Sequence, residues 1–215
     1  MALDSKKKRC IILISGVFGL TGAGKSTFLA WASARANAGK SLKIGLSCAG
    51  GVSLQDEDSY PRGVYSNFPL AGCYRLDFEK LGEFDFRECL ILIDEIMMLC
   101  DSREWKRYPE NIKYFMSHHR HYHTDLIWCS QSYTDTDIRI RSLSQQFLYI
   151  QKRGGYTEVT PIQHLMDVKN GSISDWYELG GMAAKKFIKR KKYYKLFDSH
   201  STKELKAQEP ELWEL

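Results

Sequence analysis

Short apolar runs alternate along the chain with segments of helical composition. The apolar runs predict strands, because they are rich in Val, Ile and aromatic residues and are bounded by Gly, Asn and acidic positions. The predicted strands are 10–14, 42–46, 64–68, 74–78, 89–93, 126–129 and 146–150. The predicted helices are 28–38, 109–116 and 135–143. This order predicts an α/β fold with a mostly parallel central sheet and flanking helices.

One glycine-rich segment joins the first predicted strand to the first predicted helix. Residues 19–27 read GLTGAGKST and match the pattern G-x-x-x-x-G-K-[ST] of a phosphate-binding loop. Backbone N–H groups must wrap a polyphosphate at close range, and glycines lack the Cβ atoms that would block the approach. The predicted nucleotide-binding residues are Gly19, Gly22, Ala23, Gly24, Lys25, Ser26 and Thr27. The strand before the loop and the helix after it argue against a chance glycine-rich turn.

The roles of two loop residues follow from their chemistry. Lys25 brings a positive charge to the β- and γ-phosphates, and Ser26 offers its hydroxyl to Mg²⁺. By itself the motif predicts only that a phosphate is bound, and the residues described next extend this prediction to a hydrolytic site for ATP and Mg²⁺.

Two carboxylates follow the run 89–93, which is apolar at every position and so predicts a central strand buried on both faces. Ligands of open α/β sheets bind at the carboxyl edge, where this strand delivers Asp94 and Glu95. Asp94 is predicted to hold Mg²⁺ through water, and Glu95 to orient and activate the attacking water. The alternative, acids that only solvate a strand end, is disfavoured by the upstream loop.

Further candidates follow the next strand. Gln131 ends strand 126–129, and its amide could contact the γ-phosphate or the lytic water, or merely cap the strand. Arg139 and Arg141 lie in the short predicted helix, and either could be the finger that neutralises charge on the transferred phosphoryl group. Surface arginines are the alternative. His119 and His123 share a helical face, but no Cys or acidic cluster accompanies them, so a polar helix end is favoured over a zinc site.

Positive charge is concentrated in two places. Of 31 Lys and Arg residues, four lie at 6–9 and seven at 185–195, which leaves 20 against 26 Asp and Glu residues elsewhere. A local basic patch points to a polyanionic partner. In the second patch the cations alternate with aromatic rings, which predicts a DNA contact through Lys185, Lys186, Lys189, Arg190, Lys191 and Lys192. An edge strand kept soluble by lysine is the alternative.

Composition limits the remaining choices. With 43% hydrophobic and 27% charged residues in 215, the chain predicts one globular domain. We divide it into a P-loop ATPase core at 1–153, a small β-rich C-terminal extension of the same domain at 154–199 carrying the basic–aromatic patch, and a polar tail at 200–215. No apolar run reaches the ~18 residues of a membrane helix. Reduced cysteines in a cytoplasmic protein are expected, since Cys10, Cys48, Cys89 and Cys129 lie in or beside apolar runs.

Several separated segments match one known family. They are 19–27, 64–67, 92–95, 119–121 with Asp125 and Gln131, 137–143, and 193–199. Together they resemble the ATPase domain of the zonula occludens toxin-like proteins, the filamentous-phage assembly ATPases, within the wider FtsK/HerA group of DNA-pumping ATPases. The match spans residues 11 to about 199, and its specific part is the His-Arg-His, Asp, Gln series.

The resemblance implies a RecA/FtsK–HerA-like fold and a Mg-dependent ATPase that couples hydrolysis to DNA translocation, packaging or virion assembly and export. It implies a nucleotide site of Lys25, Ser26, Asp94 and Glu95, a sensor at Gln131, and Arg141 as the preferred finger. A homo-oligomer is expected, with the finger acting across a subunit interface in a ring. Many family members carry a membrane helix after this domain and this chain has none, so DNA packaging or replication by a soluble ring stands beside extrusion. Contact with the inner membrane would then require a partner protein.

Other classes fit less well. A GTPase would carry an [NT]-K-x-D signature, which is absent from the sequence. A small-molecule kinase would need an arginine-rich lid, and the loop 48–63 holds only Arg62. A non-motor P-loop regulator that binds nucleic acid would not need the intact set of Lys25, Asp94 and Glu95.

Overall fold

A computed structural model describes residues 14–40, 42–43, 53–54, 63–99, 110–134, 136–169 and 172–198. The strands are β1 (Ile14–Phe18), β2 (Leu42–Lys43), β3 (Ser53–Leu54), β4 (Val64–Ser66), β5 (Tyr74–Arg75), β6 (Leu90–Ile93), β7 (Asp125–Ser130), β8 (Gln146–Arg153), β9 (Tyr156–Lys169), β10 (Ser172–Leu179) and β11 (Lys186–Lys189). The α-helices are α1 (Lys25–Ala36), α2 (Glu110–His118) and α3 (Ile138–Leu143). Single 3₁₀ turns lie at Phe78–Lys80, Ile96–Met98, Met182–Ala184, Arg190–Lys192 and Tyr194–Leu196.

One large sheet organises the fold, with the strand order β10-β9-β8-β1-β7-β6-β4-β5 and with β11 paired to β9. The strands from β8 to β5 in this order are all parallel to their neighbours. Strands β9, β10 and β11 continue the sheet in the antiparallel sense. The predicted mostly parallel α/β fold with a β-rich C-terminal part is therefore confirmed.

The two faces of the sheet carry separate cores, which explains the uninterrupted apolar run of β6. Leu90 and Leu92 pack in the cluster that contains α1, whereas Ile91 and Ile93 pack in the cluster that contains α2 and α3. A strand buried between helices on both sides needs apolar residues at every position. The domain therefore has three layers.

Helix α1 is buried on most of its surface. Its residues from Thr27 to Ser33 are all buried, which its alanine-rich sequence permits. One side packs on the sheet, and Ile188 and Tyr193 from the C-terminal part join the same cluster. Lys186 also lies over this helix, with its Nζ 4.9 Å from the ring centroid of Trp31. The C-terminal part of the chain thus covers the helix that follows the phosphate loop.

Several predicted boundaries shift. The first strand continues to Phe18, directly before the phosphate loop, because β1 is buried at every position and paired on both sides; residues 10–13 lie outside the described ranges. Helix α1 begins at Lys25 rather than Phe28. The segment predicted as a strand at 42–46 is described only at Leu42–Lys43, which pairs with β3 in a separate small sheet.

Strands β8 and β9 form a long antiparallel hairpin. The proposed boundary at 153/154 coincides with the turn of this hairpin, and the domain division stays a prediction. Cys89 and Cys129 are buried, while Cys10 and Cys48 lie outside the described ranges. No helix within the ranges described is long and apolar enough to cross a membrane.

Candidate functional site

Four parallel strands deliver polar residues to one edge of the sheet. β1 leads into the phosphate loop, β4 into Asn67, β6 into Asp94 and Glu95, and β7 into Gln131. Because carboxyl ends of parallel strands meet at the same edge, residues far apart in the sequence come together there.

The phosphate loop has the conformation that its glycines permit. Gly22 and Gly24 have φ values of +75° and +108°, in the region that glycine adopts most readily. Lys25 is 6% exposed, and its Nζ donates a hydrogen bond of 2.9 Å to the carbonyl oxygen of Gly19. The ammonium is therefore held inside the curve of the loop.

Ser26 and Asp94 meet beside the loop. The Ser26 hydroxyl donates to Asp94 Oδ2 at 2.9 Å, and the backbone N–H of Glu95 donates to Asp94 Oδ1 at 3.1 Å. Burial raises the pKa of Asp94, and the neighbouring Glu95 carboxylate raises it further, against the opposing effects of the Ser26 hydroxyl and Lys25. The Ser26 hydroxyl and the Asp94 carboxylate supply the oxygen ligands that Mg²⁺ prefers. The positive charge of the ion would also offset the cost of burying the negative charge of Asp94.

Glu95 is held by polar contacts in an unusual backbone conformation. Its φ of +49° is uncommon outside glycine, and such residues concentrate at functional sites. Glu95 Oε1 lies 3.6 Å from Lys25 Nζ and accepts a hydrogen bond of 3.3 Å from Gln131 Nε2. Gln131 Oε1 in turn accepts 3.0 Å from the Thr21 hydroxyl. The structure thus brings Lys25, Glu95 and Gln131 together, and adds Thr21, which the sequence reasoning did not identify.

Asn67 fixes the backbone of this acidic pair. Its Oδ1 accepts from the Asp94 N–H at 2.8 Å, and its Nδ2 donates to the Asp94 carbonyl oxygen at 2.9 Å. Asn67 appeared above only within a matching segment, without a role. The predicted strand 64–68 contained Asn67, whereas β4 ends at Ser66, so that Asn67 follows its strand as Asp94 follows the neighbouring one.

The C-terminal part of the chain forms a wall of the same site. A cavity of about 510 Å³ is lined by loop and helix residues together with Glu95, Arg190, Tyr194 and Phe197. Arg190 Nη1 donates to the carbonyl oxygen of Gly22 at 3.4 Å. We call residues 190–197 the C-terminal wall. No local signal in the sequence indicated this contact, because residues 168 positions apart meet only through the order of the strands.

The two arginines proposed as fingers lie elsewhere. The guanidinium carbon of Arg141 is 4.3 Å from the ring centroid of Tyr133. Arg139 lies in the first turn of α3, where its backbone N–H donates to the Asp137 side chain at 2.7 Å. Neither side chain lines the cavity of about 510 Å³ within its own chain.

The basic residues proposed to contact DNA divide into two groups. Lys185 donates to the buried carboxylate of Glu158 at 2.7 Å, Lys186 lies over Trp31, and Arg190 contacts the phosphate loop. The exposed members are Lys189, Lys191 and Lys192, with Lys195 beside them. The patch is therefore partly structural.

His119 and His123 come before the start of β7, near the edge of the sheet opposite the phosphate loop. His119 is 2% exposed, its Nδ1 is 2.9 Å from the carbonyl oxygen of Met116, and burial lowers its pKa. Among the residues described, no three His, Cys, Asp or Glu side chains form a group that could hold a metal ion.

Comparison with known proteins agrees with this architecture. The family model for zonular occludens toxin (Zot) matches residues 68–204. The crystal structure of the N-terminal domain of zonular occludens toxin from Neisseria meningitidis is similar with a TM-score of 0.51 at 15% identity, covering 88% of this chain and 100% of that one. The genome packaging NTPase B204 from Sulfolobus turreted icosahedral virus 2, in complex with AMPPCP, gives a TM-score of 0.45 at 14% identity, covering 76% and 96%. No curated protein sequence matches. The fold is that of a P-loop NTPase.

Proposed function

The chain belongs to the zonular occludens toxin (Zot) family, and on that premise we propose that it is an ATP hydrolase that drives DNA translocation, packaging or virion assembly. The observation that supports hydrolysis most strongly is the contact of Lys25 with Glu95 beside the Ser26–Asp94 hydrogen bond. These four residues have the chemistry that phosphoryl transfer requires: a cation for the phosphates, oxygens for a metal ion, and a carboxylate for the attacking water.

In the mechanism that we propose, a triphosphate takes the place of the internal partners of Lys25. The ammonium exchanges its contacts with Gly19 and Glu95 for phosphate oxygens, which leaves the Glu95 carboxylate available to a water molecule. The Gln131 amide keeps that carboxylate oriented through its hydrogen bond. Ser26 and Asp94 would hold Mg²⁺, which neutralises charge on the β- and γ-phosphates when bound.

We propose that the arginine finger acts between subunits of a homo-oligomer. Neither Arg139 nor Arg141 lines the cavity of its own chain, so a neighbouring copy is the remaining source of either side chain. Mixing two inactive variants, Lys25→Ala and Arg141→Ala, tests this proposal. Mixed oligomers contain sites that combine Lys25 from one copy with Arg141 from the next, so mixing should restore turnover. Continued inactivity after mixing, or full activity of Arg141→Ala alone, would contradict it.

We propose that DNA binds through the exposed cations Lys189, Lys191 and Lys192. These lysines lie one or two residues from Arg190, which lines the nucleotide cavity. Bound DNA would therefore lie next to this cavity. Replacing the three by alanine should weaken DNA binding and reduce the slope of log affinity against log salt. An unchanged salt slope would show that these lysines only solvate the edge of the sheet.

Steady-state hydrolysis tests the whole proposal. ATP and GTP are each assayed with and without Mg²⁺ and with single- or double-stranded DNA. We expect Mg²⁺-dependent turnover that prefers ATP and is stimulated by DNA. Lys25→Ala should abolish turnover, whereas Lys40→Ala, which changes an exposed lysine beyond the end of α1, should not. Equal rates in Lys25→Ala and the unmodified protein would refute the assigned site.

A further inference from the structure

We infer that the C-terminal wall is the base-binding subsite of the nucleotide cavity, with the rings of Tyr194 and Phe197 stacking on the nucleobase and Arg190 contacting the phosphate or ribose oxygens. The inference rests on the proposed function, since it assigns a subsite of the same cavity. It gives Arg190 and the two rings of the basic–aromatic patch a role other than DNA contact, and leaves the exposed lysines to bind DNA.

The wall is a fixed part of the fold. Tyr193 is 8% exposed and belongs to the core cluster around α1. The Leu196 carbonyl oxygen accepts 2.8 Å from the Ala71 N–H, and the Arg190 N–H donates 3.0 Å to the Gly155 carbonyl oxygen. With its start, middle and end attached to different parts of the domain, the segment is preorganised at the mouth of the cavity.

Arg190 has donors to spare beside the phosphate loop. A guanidinium carries five N–H donors. Its Nη1 makes one long contact of 3.4 Å to Gly22, and its Nε is buried without a hydrogen-bond partner in the part of the chain that the structure describes. A buried donor without a partner costs free energy, and an anionic ligand in the cavity would relieve that cost.

Two aromatic rings face the same space. Tyr194 is 52% exposed although it is large and aromatic, and both Tyr194 and Phe197 line the cavity. They are three residues apart in and after a 3₁₀ turn, a spacing that puts side chains on one side. The phosphates would lie on the loop and Lys25, so the remaining part of a bound nucleotide extends toward the wall.

The cavity has the size and chemistry for this ligand. Its volume of about 510 Å³ lies within the range of small-molecule sites, roughly 300–1,000 Å³. Beyond the loop and the start of α1, its lining side chains are Glu95, Arg190 and the two rings. Stacking should therefore contribute more to base binding than hydrogen bonds to the base edge.

A nucleobase could reach these rings from a free nucleotide or from single-stranded DNA. The anchored position of the wall across the phosphate loop favours the nucleotide. Calorimetric titrations distinguish the two sources, with AMPPCP, inorganic tripolyphosphate and an oligothymidylate as the three probes.

The informative variant is Tyr194→Ala, with Tyr194→Phe as the conservative change. Phe187→Ala is the matched control, because Phe187 is 50% exposed on β11 and does not line the cavity. Loss of one stacking ring should weaken AMPPCP binding roughly 5- to 150-fold. Tripolyphosphate binding should not change, and Tyr194→Phe and Phe187→Ala should bind AMPPCP as the unmodified protein does.

The outcomes separate this inference from the proposed function. If the unmodified protein binds tripolyphosphate as tightly as AMPPCP, or if Tyr194→Ala leaves AMPPCP affinity unchanged, the base subsite is wrong and the hydrolase proposal stands. Weaker oligothymidylate binding with unchanged AMPPCP affinity would instead assign the rings to DNA. If neither AMPPCP nor tripolyphosphate binds, the proposed function and the base subsite both fail.

Discussion

Replacing Gly24 by alanine should destabilise the protein by two separable effects. Gly24 precedes α1 with φ +108° and ψ +29°, a conformation that L-residues disfavour by about 1–2 kcal/mol. A Cβ built there would overlap Thr157 Oγ1 and lie 3.3 Å from Thr157 Cβ. Thr157 is fully buried in β9 and cannot move aside easily, so overpacking should add about 1–3 kcal/mol.

Gly22 is the matched control, because it shares the positive φ but not the contact. Its φ is +75°, and an added Cβ would meet no atom within 4 Å. We therefore expect Gly24→Ala to cost about 2–5 kcal/mol and Gly22→Ala about 1–2 kcal/mol. For a domain of this size the corresponding falls in Tm are about 10 °C and about 4 °C.

Thermal melting of four variants without nucleotide provides the test. Removing Oγ1 and Cγ2 in Thr157→Ala should make Gly24→Ala less damaging by about 1–2 kcal/mol, while Gly22→Ala should cost the same in either background. The reasoning is wrong if Gly24→Ala is no more harmful than Gly22→Ala, or if the change at Thr157 leaves its cost unaltered.

Three further predictions concern residues that position or oppose charge. Asn67→Ala removes both hydrogen bonds to the Asp94 backbone, so it should lower the free energy of unfolding by about 2 kcal/mol. It should also lower kcat at least about tenfold with less change in KM, and an unchanged kcat would exclude a positioning role. The pKa of Asp94 is raised, so ionising this side chain costs stability that is lost as the pH rises from the ordinary carboxyl pKa through the raised one. Asp94→Asn should therefore raise the Tm of the nucleotide-free protein at pH 8, and this gain should disappear at acid pH. The pKa of Glu158 is lowered, first by its hydrogen bond from Lys185 and then by that from Arg153, so its stabilisation is present above the ordinary carboxyl pKa and lost as the pH falls through the lowered one. Glu158→Gln should therefore cost about 2–3 kcal/mol at pH 7 in urea unfolding, and a cost that persists undiminished at acid pH would contradict this explanation.

Features that depend on residues close together in the sequence could be predicted. The phosphate loop has its own pattern, and Asp94, Glu95 and Gln131 each follow an apolar run, so the rule for parallel strand ends brings them to one edge. The same rule missed Asn67, because the predicted strand 64–68 contains this residue whereas β4 ends at Ser66. Boundaries were less accurate at β1, because Ser15 and Gly16 interrupt an apolar pattern that burial on both faces nevertheless continues.

Features that depend on the order of the strands could not be predicted. The sequence predicted that the segment containing Arg190 and Tyr194 contacts nucleic acid, because cations and aromatic rings alternate there. Only the pairing of β11 with β9, next to β8 and β1, carries this segment back over α1 and to the phosphate loop. The strand order likewise puts the buried Thr157 against Gly24, which no pattern within either segment indicates.

The role of Glu95 as the base that activates the attacking water is tested most directly by comparing Glu95→Gln with the unmodified protein. One experiment measures both ATP binding and Mg²⁺-dependent turnover. Glutamine keeps the shape of the side chain and can still contact Gln131, but it cannot accept the proton of the attacking water. We expect ATP affinity within a fewfold of the original and turnover reduced at least about 100-fold. Full turnover in Glu95→Gln would contradict the assignment of Glu95 as the base, and with it the mechanism proposed for this site.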